Sequence, residues 1–160
     1  GKCDSEPPVF VNTVKVQSAK DMYDAVIERA DSMDIIVKAA AVADYRPKNV
    51  SSEKVKKQDG NMSIELERTD DILKTLGERK NGQFICGFSM ETENMLENSR
   101  KKLEKKNCDM IVANNLKQDG AGFGGNTNIV TLITKDDEVQ LEKMTKDEVA
   151  EKIFDFILSR

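Results

Sequence analysis

The chain has no histidine among its 160 residues, which removes imidazole as general base, proton shuttle or partner of a serine or cysteine nucleophile. Cysteine is almost as scarce. Cys3, Cys86 and Cys108 are an odd number without a Cys-x-x-Cys spacing, so neither a disulfide framework nor a zinc site is expected. Cys86 and Cys108 stand among apolar residues and read as reduced core fillers. No apolar run approaches the roughly 20 residues that cross a bilayer, and no charged, apolar and small-residue leader pattern is present. Gly-x-Gly-x-x-Gly opening a helix and Gly-Lys-Ser/Thr are also missing, which argues against a dinucleotide or Walker fingerprint and against a nicotinamide or flavin oxidoreductase. Chemistry is left to lysine, arginine, carboxylates, backbone groups or a bound metal.

What is present is charge of both signs. Lysine and arginine number 25 against 29 acids, a net of −4 with 34% of residues charged. Because acids match the lysines in most windows, neither nucleic acid nor membrane is an expected partner, and a cytosolic location is. A chain of this length can bury one core and is expected to form a single domain over 1–160.

Periodicity divides the chain into alternating strands and helices. Val9–Val16 alternates as a strand, Ser18 caps a helix carrying Met22, Ala25 and Val26, and Ile35-Ile36-Val37 is a short apolar run expected to be a buried strand. Asn61–Leu66 reads as a short strand that pairs, across a Gln58-Asp-Gly-Asn61 turn, with Lys54–Lys57 as an antiparallel flap. Thr69 or Asp70 is expected to cap the helix of Ile72, Leu73 and Leu76. Phe84–Phe88 and Asp109–Ala113 are buried strands flanking a charged helix from Glu93 to Lys106. Asn128–Thr134 pairs with Val139–Leu141, and Lys146–Leu158 is an amphipathic helix. Repeated strand-to-helix alternation predicts a doubly wound, Rossmann-like α/β sheet that is mostly parallel.

The stretch Ala39-Ala-Ala-Val-Ala-Asp-Tyr-Arg-Pro47 concentrates the chemistry. Small residues after a strand let a ligand approach the backbone, and Lys54, Lys56 and Lys57 follow as cations for phosphates. Each feature also has a plainer account. The lysines suit a solvated strand edge, and Asp44 and Arg46 can pair across a turn. Gly120–Gly125 suits a lid or turn, and Phe88 either core or a platform for a base. Lys102, Lys105 and Lys106 suit a wet helix face, though Lys102 and Lys106, four apart, project together as two cations aimed at one anion would. Asp44, Phe88 and Asn114 each follow a predicted parallel strand, where ligands of open α/β sheets sit. The helix start near Asp70 can direct backbone N–H groups at phosphate.

In order and spacing, the alanine stretch, Glu53-Lys-Val-Lys-Lys57, Thr69-Asp-Asp-Ile-Leu73, Cys86-Gly-Phe-Ser-Met-Glu-Thr92, Lys101-Lys-Leu-Glu-Lys-Lys106 and Asp109-Met-Ile-Val-Ala-Asn114 resemble the phosphopantothenate–cysteine ligase family. The likeness is greatest to the bacterial ligase domain fused behind a flavin-dependent decarboxylase, whose FMN belongs to that other domain. The resemblance implies a ligase of coenzyme A biosynthesis. The carboxylate of 4'-phosphopantothenate attacks the α-phosphate of CTP, pyrophosphate leaves, and the amine of L-cysteine then displaces CMP from the acyl-cytidylate. It carries nucleotide contacts onto Ala39, Ala40, Asp44, Lys54, Asp70, Asp71, Ile72, Leu73, Phe88, Lys102 and Lys106. Lys54 is the catalytic candidate, at the triphosphate and in the later step. Magnesium is implied on the phosphates and water rather than on a protein metal site, and a homodimer is implied through the flap of about 45–67.

Two departures accompany the resemblance. The family's glycine-rich strand–turn–helix segment, ending in Arg, Asn and Ser-Ser-Gly-Lys-Met-Gly, has no counterpart here, and Asp70-Asp71 replaces its Pro-Asp. The chain is therefore expected to be the CTP-binding part of such a ligase, with that segment needed for complete catalysis. The rival expectation from another class is a non-catalytic nucleotide-binding and dimerisation module.

Overall fold

A computed structural model describes residues 7–56, 59–115 and 125–160. In chain order the elements are α1 (Ala19–Arg29), a 3-10 turn (Ala30–Ser32), β1 (Ile35–Lys38), β2 (Tyr45–Pro47), β3 (Leu66–Arg68), α2 (Ile72–Arg79), β4 (Phe84–Glu91), α3 (Met95–Lys105), β5 (Met110–Asn115), β6 (Thr127–Asn128), β7 (Val130–Ile133), β8 (Glu138–Gln140), β9 (Met144–Thr145) and α4 (Lys146–Leu158). They gather into two compact units. One takes Gly1–Arg29 and Ala41–Ile72, the other Ala30–Ala40 and Leu73–Arg160.

The second unit holds a five-stranded sheet in the order β1-β4-β5-β7-β8. Strands β1, β4 and β5 are parallel neighbours, and β7 reverses before β8 reverses again. Four of the five strands thus share one direction, a mixed sheet in keeping with the mostly parallel, Rossmann-like α/β sheet anticipated from the sequence. Cys86, Met110, Val112, Val130 and Leu132 on one face bury against Val149, Ile153 and Ile157 of α4. Alternation sends Gly87, Ile111 and Ile133 to the other face. A Cβ built on Gly87 would lie 2.7 Å from a Leu73 methyl, so that face receives α2. Helix α3 packs against β4 and β5 there as well. Helices therefore cover both faces, which is what near-continuous apolar strands require.

The α4 boundaries are those read from the sequence. Thr145 accepts from the Glu148 amide at 3.2 Å while the Glu148 carboxylate accepts from Thr145 N at 2.7 Å, a reciprocal cap that satisfies two otherwise unpaired donors. These bonds hold the Glu148 carboxyl below its ordinary range. Ser18 caps α1 in the same way, with Asp21 as the answering carboxylate.

Several expectations are corrected. Val9–Val16 forms no strand; Val9, Phe10, Val11 and Val14 are exposed, because alternation makes a strand only where a neighbouring ladder accepts it. β1 is half-buried rather than buried, since β4 is its single described neighbour. The antiparallel pair joins Tyr45–Pro47 to Leu66–Arg68, so 61–65 and 54–56 lie outside regular structure. The Arg46 guanidinium pairs across this ladder with Glu67 at 2.8 Å instead of with Asp44. Thr69 does not cap α2, which begins at Ile72. Lys57 and most of the Gly120–Gly125 loop lie outside the described residues.

Gly77 marks the tightest approach. Inside a helix alanine ordinarily gains ~1 kcal/mol over glycine, yet a Cβ here would sit 1.9 Å from the Lys106 carbonyl oxygen, and the Asn107 amide donates to Gly77 O at 2.8 Å. Backbone cannot yield as a side-chain tip would. Gly77→Ala is therefore expected to lower unfolding stability by about 2 kcal/mol, read from the urea midpoint; an unchanged or raised midpoint would contradict the packing.

Candidate active site

In the second unit the site is organised by the end of β4. β1 pairs Val37 with Cys86 and Lys38 with Gly87, so the chain leaves the ladder at the level of Phe88 and delivers Ala39 and Ala40 there. The Lys38 ammonium donates to Ala40 O at 2.7 Å, which folds the exposed alanine turn back on the strand end. Phe88 lies within β4 rather than after it. Its ring packs half-buried against the core cluster, so it is part of the core while keeping an open edge.

Lys102, on α3, donates to the Phe88 carbonyl at 2.8 Å. The structure thus joins two residues that the sequence placed 14 positions apart. The Asn98 amide, four residues before Lys102, is turned to Glu91 at 3.2 Å and to Glu93 O at 3.1 Å. Lys106 lies just beyond the last residue of α3; its N–H donates to Lys102 O at 2.9 Å and its own carbonyl abuts Gly77. That bond to the carbonyl four residues back carries the helical spacing of Lys102 on to Lys106.

Two pairs along, Asn114 lies opposite Met90 and Val130, on the sheet face of Phe88. It is 4% exposed, and its Oδ1 has no hydrogen-bond donor among the described residues. A buried amide oxygen left unpaired costs ~1–3 kcal/mol, which marks the carboxyl end of β5 as a place where a donor is wanted. The sequence pointed to Asn114 by position alone.

The first unit assembles the remaining candidates. The Thr69 hydroxyl donates to Ala43 O at 2.6 Å and its N–H to Asp44 O at 3.0 Å, so Asp44 and Asp70 are tied to one turn. Lys20, not singled out by the sequence, has its ammonium affinity for a proton raised chiefly by Asp24, with Asp70 adding to it and Arg46 opposing it. The start of α1 therefore brings a cation near Asp70. Asp44, Asp70 and Asp71 are exposed, whereas Ile72 is buried, as is Leu73, which belongs to the second unit; of these last two only the backbone N–H groups, at a helix start, are suited to a ligand. Lys54 and Lys56 are exposed in the segment after Glu53.

Other chemistries are poorly served. Burial pushes the Cys86 thiol up to about 12, and burial followed by the Asp109 carboxylate pushes Cys108 up to about 11, so neither supplies a thiolate near neutral pH. Among the described residues no three acidic, histidine or cysteine side chains gather as metal ligands. A cavity of about 450 Å³ lined by Lys80, Phe84, Arg100 and Asp109 opens at the amino ends of β4 and β5, away from Phe88 and Asn114. Two of its cations are held in ion pairs, Lys80 with Asp109 at 2.5 Å and Arg100 with Glu138 at 2.7 Å.

Comparison with known proteins places this arrangement. The chain is 53% identical over 131 residues to the coenzyme A biosynthesis bifunctional protein CoaBC of Bacillus subtilis strain 168, covering 82% of this chain and 32% of that protein. It is 43% identical over 151 residues to a cysteine/cysteine sulfinic acid decarboxylase of an unknown prokaryotic organism, covering 93% of this chain and 42% of that one. The chain thus spans 32% to 42% of the length of these relatives. The crystal structure of the C-terminal domain of a coenzyme A biosynthesis bifunctional protein CoaBC superposes with a TM-score of 0.79 at 47% identity, over 99% of this chain and 72% of that one. A family model for the C-terminal domain of the DNA/pantothenate metabolism flavoprotein matches residues 1–160. The chain belongs to this DNA/pantothenate metabolism flavoprotein C-terminal domain family.

Proposed function

We propose that the chain is the CTP-binding part of a phosphopantothenate–cysteine ligase in coenzyme A biosynthesis, its two units forming one ligase domain. The observation that carries the proposal is the 53% identity to a coenzyme A biosynthesis bifunctional protein; the supporting geometry is the set of groups at the carboxyl ends of β4 and β5. Phe88 and the alanine turn at 39–40 would hold base and ribose. Lys102 would meet the phosphate tail, and the Asn114 amide oxygen would accept a donor of the bound acyl substrate. Lys54, Lys106, Asp44, Asp70, Asp71 and the N–H groups of Ile72 and Leu73 keep the nucleotide roles that the family resemblance gives them.

In chemical terms, the 4'-phosphopantothenate carboxylate attacks the α-phosphorus of CTP and the bond to pyrophosphate breaks. The cysteine amine then attacks the acyl carbon, releasing CMP and a proton. Ammonium groups of Lys54 and Lys102 serve both steps by neutralising charge on the phosphates, a contribution largest where water is excluded. With no cluster of metal ligands among the described residues, magnesium would ride on triphosphate oxygens and water. The FMN of a fused decarboxylase would bind in that separate domain, and the setting would be cytoplasmic; no helix among the described residues is long and apolar enough to cross a membrane.

The homodimer belongs to the same proposal. Tyr45, Val50, Val55, Met62, Ile64 and Leu66 are exposed on or beside the β2–β3 pair, an apolar concentration that a monomer rarely leaves open to water. A second copy would cover it.

Calorimetry with CTP, ATP and GTP plus magnesium is expected to give heat with CTP; silence with all three would remove the nucleotide reading, and preference for ATP would redirect it. Lys54→Gln is expected to weaken CTP about tenfold, ~1.4 kcal/mol, and CMP less than about twofold; equal losses would take Lys54 off the triphosphate. Sedimentation is expected to give a dimer that Ile64→Asp with Leu66→Lys converts to monomer, whereas a monomeric wild-type chain would remove the flap's proposed role.

A further inference from the structure

Glu91 has no assigned part in the ligase reading, and a carboxylate near a cation meant for phosphate opposes anion binding unless its charge is used elsewhere. Both of its oxygens are used. Oε1 accepts from the Ser89 hydroxyl at 3.0 Å and Oε2 from the Asn98 amide at 3.2 Å. Ser89 is buried, so one side of this bridge is anchored in the sheet. The other side reaches the first turn of α3.

That turn needs an anchor. Asn94, ahead of α3, adopts a left-handed conformation with φ 49° and makes no side-chain cap, so the helix start lacks the usual bond to its free N–H groups. Asn98 takes over the seating. Its N–H donates to Asn94 O at 2.9 Å, while its side-chain amide spans Glu91 and Glu93 O. One turn further on, Lys102 lies on the same ridge and donates to Phe88 O.

α3 is thus pinned to the end of β4 at two points, Asn98 to Glu91 and Lys102 to Phe88. A single bond would leave the helix free to pivot; two, a turn apart, fix its rotation and its height along the strand. The long, flexible lysine stem otherwise carries rotamer entropy, which a ligand would have to overcome on binding.

We propose that Glu91 and Asn98 are positioning residues for triphosphate recognition, holding α3 so that the Lys102 ammonium stands preformed beside Phe88. The inference rests on the nucleotide reading above and adds to it two residues that touch no nucleotide. Its mark is selectivity for the phosphate tail over the rest of the nucleotide, since the bridge seats the lysines of α3 and not Phe88 or the alanine turn.

The bridge can be broken and rebuilt. Asn98→Asp sets two carboxylates face to face; Asn98→Ala removes the link without adding charge. In the double variant Glu91→Gln with Asn98→Asp, the amide introduced on β4 donates to the carboxylate introduced on α3, and its carbonyl still accepts from Ser89. Calorimetry with magnesium is expected to weaken CTP about tenfold for Asn98→Asp and about threefold for Asn98→Ala, with CMP within about twofold of wild type in each case. The double variant recovers most of the loss, and thermal melts establish that all forms are folded. CTP and CMP falling together, an Asn98→Asp protein that binds CTP as wild type does, or a double variant no better than the single one would each overturn the positioning role while leaving nucleotide binding intact. A wild-type chain that binds no CTP would instead remove the nucleotide reading, and this inference with it.

Discussion

The rest of the molecule depends on β4 outrunning its neighbour. β1 stops at Lys38, opposite Gly87, whereas the pairing of β4 with β5 continues to Glu91 and Asn115. Beyond Gly87 the strand has a ladder on one side only, and a polar backbone group left over in a half-buried place must find a partner. The Phe88 carbonyl finds Lys102, and the end of the strand finds α3 through Glu91 and Asn98. A ladder of equal length on both sides would have left no opening at the strand ends where ligands of such sheets bind.

The two units differ in what holds them. The second buries strands on both faces, with Gly87 and Gly77 admitting the close approach of α2; its stability is a matter of dense apolar packing. The first has an α-helix with no buried residue and a short antiparallel pair dressed with exposed ion pairs, Arg46 with Glu67 and Lys48 with Glu65. Exposed pairs of this kind contribute ~0–1 kcal/mol each. Apolar side chains on and around that pair are exposed and add little to internal stability.

Charge follows the same division of labour. On the outer face of α3, Lys101 pairs with Glu97 at 2.6 Å, the ordinary solvated arrangement. Lys102, the next residue, turns inward to a carbonyl. About a hundred degrees of helical rotation separates a surface lysine from one held against the sheet end, so a lysine-rich string such as 101–106 cannot be assigned as a block.

The sequence by itself determined the sheet interior and α4, because four to six consecutive apolar residues admit few placements and the Thr145–Glu148 cap is written in neighbouring residues. It also singled out Phe88 and Asn114 by their places relative to strands, and Lys102 by its spacing on a charged helix. It could not tell that Val9–Val16 would find no ladder, that Arg46 would answer Glu67, or that Thr69 would close on Ala43 and Asp44 rather than cap α2. Those outcomes turn on partners 21 or 26 positions away. Local pattern records only which faces are apolar; which polar group meets which is settled by the packing of elements, since each hydrogen bond is gained only when a distant segment arrives within about 3 Å.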